Sequence, residues 1–161
     1  MNYYPLPQPD EIEEREKEDA MGAYFMMFAT AGIGIPLPIL NLIAAIVYYF
    51  VNKSKGRFVQ FHMLQSLYSQ IPVTLLNTGL VVWIITNLVK QYEFTEVFWG
   101  YVIMAAVANL VYLIFSIVGA VKARKGLFYY FLFFGKISYA QVYRIREGRE
   151  EQPMVNRPPK V

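Results

Sequence analysis

Four stretches of the chain are apolar enough to draw attention, and short polar runs separate them. From Ala20 to Val51 almost every residue is apolar, yet a single helix of that length would rise about 48 Å against a hydrocarbon layer of about 30 Å. A break is expected in GIGIPLP, where Gly32, Gly34, Pro36 and Pro38 crowd together and each proline removes a helix donor. The reading taken is two short helices, about 20–33 and 38–51, joined as a hairpin. One kinked span is the alternative, and it would place the N-terminus on the other side of the membrane. Two longer helices follow, about 56–89 and 97–121, the first carrying Pro72, where a kink is expected. The aromatic stretch 126–142, interrupted by Gly135 and Lys136, is short for a crossing and is expected to lie in the interface.

These lengths predict an all-α integral membrane protein. Its membrane domain, 20–142, is a four-helix bundle made of the proline-broken hairpin and two long transmembrane helices, closed by the interfacial segment. Residues 1–19 are expected to be a solvated acidic tail without an apolar stripe to dock, and 143–161 a polar C-terminal tail. Composition agrees: 56% of the 161 residues are hydrophobic and 17% aromatic, and the mean hydropathy is +0.31.

The net charge of +3 conceals an asymmetry, since seven of the twelve acidic residues lie between Asp10 and Asp19. Lys53, Lys55 and Arg57 form one basic cluster, and Lys122, Arg124 and Lys125 form a second. The clusters bracket a two-helix excursion, so they face one side, which the positive-inside rule makes cytoplasmic. Localisation in a bacterial inner membrane with both termini cytoplasmic is the expectation. The acidic N-terminus lacks the basic start of a secretory signal, so the first apolar segment is expected to be retained. The six cations are candidates for contact with lipid headgroups or a partner protein.

Along the third helix His62, Gln65, Ser66, Gln70 and Asn77 fall on one face, with Asn109 on the next helix as a potential partner. One reading is helix packing through side-chain hydrogen bonds, which average about 0.6 kcal/mol each in membranes. The other is a polar path along the 62–78 face, open to a substrate or partner helix. The small residues Ala105, Ala106, Ala108, Gly119 and Ala120 would admit a close helix, inside the chain or from a second copy.

The run GRFVQFHMLQSLYSQIP, 56–72, resembles the signature of the Tic-twenty-like family of membrane proteins, typified by a subunit of the chloroplast inner-envelope import translocon. Arg57, Phe58, Val59, Phe61, His62, Gln65 and Pro72 match, and Gln60 departs from the usual basic residue. The resemblance implies four helices with both ends on one side and a link to protein transport.

Enzyme chemistry is not expected. The apolar segments hold no Asp, Glu or Cys, and the chain has one histidine. No metal and no cofactor is expected, and no nucleic-acid partner. The function expected is a non-catalytic, multi-pass subunit or accessory factor of a larger membrane assembly, in protein translocation or membrane biogenesis. The alternative is an oligomeric channel or transporter. Partners expected are the bilayer and other membrane proteins, with homo-oligomerisation open.

Overall fold

A computed structural model describes residues 3–28 and 38–145. Five helices account for most of them: α1 (Glu14–Phe25), α2 (Pro38–Asn52), α3 (Arg57–Lys90), α4 (Glu96–Arg124) and α5 (Leu132–Tyr143). A 3₁₀ turn, Met26–Phe28, ends the first. Among the described residues there is no strand, only a single antiparallel bridge between Tyr3 and Arg144. The turn expected in GIGIPLP, up to its last residue Pro38, and most of the expected C-terminal tail lie outside the described residues.

α3 is the axis of the molecule, and α1, α2, α4 and α5 all pack on it, with α1 also lying along α4. Its N-terminal third is therefore covered on every side: each residue from Phe58 to Ser66 is buried except Gln60. Further along, Leu75, Val82, Ile85 and Leu88 turn outward. α4 likewise presents Ile103, Val107, Leu110, Ile114 and Ile117 to its surroundings. Among the described residues these two helices are the ones long and apolar enough to cross a membrane.

Local signals explain the ends of the long pair. Gln91 adopts a left-handed conformation with φ of 55°, and its N–H closes onto the Asn87 carbonyl, stopping α3. Thr95 caps α4 by accepting from the Phe98 N–H at 3.4 Å, and Glu96 in the first turn suits the helix dipole. After α4, Gly126 turns the chain with a φ of +71°, where a side chain would also press on the Pro9 backbone. α5 has twelve residues, about 18 Å of helix, which is short of a hydrocarbon core.

The acidic segment departs from the expected solvated tail. Helix begins at Glu14 rather than near residue 20, and Ile12 is buried with Ala20, Tyr24, Phe58, Ala120 and Ala123. Ahead of it the Tyr4 N–H donates to the Tyr143 carbonyl at 2.8 Å, and Tyr3 stacks on Tyr139. The physical reason is long-range pairing: the carboxylates of this run meet the cations of both basic clusters, so docking neutralises charge that the isolated segment would leave in water. The expected C-terminal tail starts late for a similar reason, because Tyr143 is buried and Arg144 pairs with Tyr3.

The small residues of α4 serve α1. A Cβ on Gly119 would sit 2.7 Å from the Tyr24 ring, and Ala120 and Ala123 are buried in the same cluster. Ala105 is buried, while Ala106 is exposed.

Candidate functional site

The covered third of α3 contains polar side chains, and burial obliges each to find a partner. Tyr24 of α1 supplies one. Its hydroxyl accepts from Gln65 Nε2 at 2.7 Å and lies 2.9 Å from His62 Nδ1. The phenol oxygen can accept from Gln65 while exchanging one hydrogen bond with His62, the direction of which follows the imidazole tautomer. Gln65 also reaches α5, where its Oε1 accepts the Phe131 N–H at 3.0 Å. Ser66 donates to the Ala23 carbonyl at 2.8 Å, and Ser69 to the Ser66 carbonyl at 2.9 Å. Three helices are thus joined through one glutamine and one tyrosine. Aromatic rings close the surroundings: Phe58, Phe61 and Phe128 stand 4.6, 5.0 and 6.1 Å from the His62 ring. Gly135 lets Gln65 in, since a Cβ there would lie 2.6 Å from both Gln65 Oε1 and the Tyr130 backbone.

Lower on the same face Gln70 and Thr74 are buried. Asn77 and Asn109 exchange amide hydrogen bonds of 2.9 and 2.8 Å, and Asn109 also donates to the Ala105 carbonyl. Gln70, Thr74, Asn77, Asn109 and Tyr112 line a cavity of about 70 Å³ with Asn41 of α2, room for a water or two.

The basic clusters occupy the end of the bundle where α3 begins and α4 finishes. Lys55 pairs with Asp19 at 2.5 Å; Arg124 pairs with Glu14 at 2.5 Å and with Glu18 at 3.5 Å. Lys53 lies 5.4 Å from the Phe50 ring, and Arg57 lies 3.6 Å over Tyr4. Lys122 and Lys125 are exposed. α1 therefore bridges both clusters and holds them at one end.

Hydrogen bonds from Lys17 and then Arg124 lower the Glu14 pKa from 4.5 to about 2. A carboxylate depressed in the folded state contributes stability that is complete above its unfolded pKa and is lost as pH falls through the folded one. Resistance to thermal unfolding should therefore decline between about pH 4.5 and 2, and Arg124→Gln should flatten that decline. Glu14 is fully exposed, so the expected effect is small. Melting curves of the detergent-solubilised pair across this pH range provide the check.

Two groups of participants were missed from sequence. Tyr24 sits in an apolar run, where its hydroxyl gives no periodic signal. Glu14, Glu18 and Asp19 looked like one solvated charge run, although their sign, opposite to both basic clusters, was available as a clue. Among the described residues no group of three or more His, Asp or Glu side chains is placed to hold a metal ion.

The whole helical unit, rather than any one motif, carries the family likeness. Residues 17–137, from the first turn of α1 into α5, match the magnetosome magnetite crystal formation protein family, MamF/MmsF. The chain belongs to that family. No curated protein and no solved structure matches it. Membership overturns the Tic-twenty-like resemblance and the protein-transport role that came with it. The resemblance rested on seven residues of one segment, and most have structural duties in this fold: Phe58, Val59 and Phe61 are buried core, and His62 and Gln65 join α3 to α1 and α5. Aromatic and amide residues at such spacing suit any helix entry that must be covered by neighbouring helices.

Proposed function

We propose that the chain is an integral protein of the magnetosome membrane and takes part in magnetite crystal formation by contact with the bilayer and with other proteins there. The observation that carries this reading is the family match over residues 17–137, which spans α1 to α4 and half of α5. The two long apolar helices support membrane insertion, because α3 and α4 turn Leu75, Val82, Ile85, Val107 and Ile114 outward, where water would be costly and lipid is not. A non-catalytic role is supported by the way the reactive side chains are used: His62 is ringed by aromatics and tied to Tyr24, and Gln65 is spent on two helices. The accessory role expected from sequence is kept, and its setting changes to crystal formation.

Removing the gene from its host and measuring crystals by electron microscopy tests the proposal. A shift in crystal size or number, restored by the intact gene, is the expected result. Crystals unchanged in both respects would overturn it.

A further inference from the structure

The end of the bundle that carries the ion pairs also holds a cavity of about 550 Å³, a volume within the usual range of small-ligand sites. Pro5, Leu6 and Ile12 give it apolar walls, and Glu11, Glu16, Arg57 and Tyr143 give it polar ones. Tyr143 is 1% exposed, yet its hydroxyl has no hydrogen-bond partner among the described residues. A buried phenol left in that condition is uncommon, because the unmet hydrogen bond is costly.

The charged members of the lining are also unspent. Lys55 and Arg124 form ion pairs, whereas among the described residues Arg57 forms none. Its guanidinium carbon lies 3.6 Å from the centre of the Tyr4 ring, a contact that leaves N–H donors available. Glu16 makes no ion pair among the described residues, and Glu11 accepts one hydrogen bond, from the Gln8 N–H at 2.8 Å. One guanidinium and one phenolic donor thus share a cavity with two carboxylates.

That combination suits a ligand carrying a phosphate next to a primary ammonium. We propose that the cavity holds the headgroup of a zwitterionic phospholipid, its phosphate on the Arg57 guanidinium and the Tyr143 hydroxyl and its ammonium on Glu16 and Glu11. The assignment rests on the reading that α3 and α4 cross a membrane, which sets the first turn of α3 at headgroup level. A lipid with a phosphate and no ammonium fits less well, because it would bring negative charge against two carboxylates without compensation.

The test uses the full chain purified in mild detergent and native mass spectrometry. Phosphatidylethanolamine, phosphatidylcholine and phosphatidylglycerol with identical acyl chains are titrated separately, beside free phosphoethanolamine. One phosphatidylethanolamine per chain should be retained about tenfold more tightly than either other lipid, the equivalent of losing one charge-assisted hydrogen bond. Arg57→Gln should weaken retention by about the same factor, and Glu16→Gln should remove the preference over phosphatidylcholine, whose quaternary ammonium has no N–H to donate. Equal retention of the three lipids by the unaltered chain would overturn the proposal. Free phosphoethanolamine binding as tightly as the lipid would overturn the lipid source. Neither outcome depends on crystals, so this site and the role in magnetite formation can fail separately.

Discussion

Replacing Tyr24 with Ala should destabilise the fold by about 3 to 5 kcal/mol, the range for removing a buried aromatic side chain. The ring is 3% exposed, rests on Gly119 and belongs to the cluster with Ile12, Phe58 and Ala123 that fastens α1 to the long helices. Its hydroxyl is also the junction between His62 and Gln65. Tyr24→Phe separates the two contributions, since the ring stays and only the hydroxyl goes; about 1 to 3 kcal/mol of the loss should remain. Denaturant unfolding in micelles measures both. If the Phe variant matches the parent, the hydroxyl junction contributes nothing and the network reading fails.

Gln65→Leu should cost about 2 to 4 kcal/mol although leucine suits an apolar surrounding, because two buried partners are orphaned at once. The Phe131 N–H loses its acceptor and the Tyr24 hydroxyl loses its donor. The membrane average of about 0.6 kcal/mol per side-chain hydrogen bond argues for a smaller effect, since the unfolded chain in lipid finds other partners. The desolvation argument should win here because Phe131 is itself buried and flanked by Phe115 and Phe134, which offer no acceptor. The variant should also loosen α5, seen as faster proteolysis between α4 and α5. In combination with Tyr24→Phe the loss should fall short of the sum, because both changes break one bond. Strict additivity would show that the two residues act independently.

The part of this architecture legible in sequence is the part that depends on neighbours in sequence. α3 and α4 are long apolar runs bounded by Lys90, Glu93 and Glu96 at one end and by basic clusters at the other, and periodicity alone indicates helices of membrane-crossing length. The polar face from His62 to Asn77 was legible for the same reason, since residues three and four apart share a face. Its partners were not. Gln65 finds the backbone of Phe131, 66 positions away, and no side-chain pattern marks a main-chain donor. The acidic run was misjudged because it lacks an apolar stripe of its own; its docking comes from Ile12, Ala20 and Tyr24 together with ion pairs to Lys55 and Arg124 that only the folded chain brings close. The family was misread because seven residues of one helix entry were weighed above the arrangement of the whole unit.

In the proposed topology α3 and α4 cross the bilayer and return both basic clusters to one face. The chain has no cysteine, so single cysteines can be placed without background. Ser54→Cys, Lys125→Cys and Tyr92→Cys, each treated with a membrane-impermeant maleimide in sealed right-side-out and inverted vesicles, test it. Positions 54 and 125 should react together in one orientation and position 92 in the other. Labelling of 54 and 125 from opposite faces, or of all three from the same face, would contradict this topology.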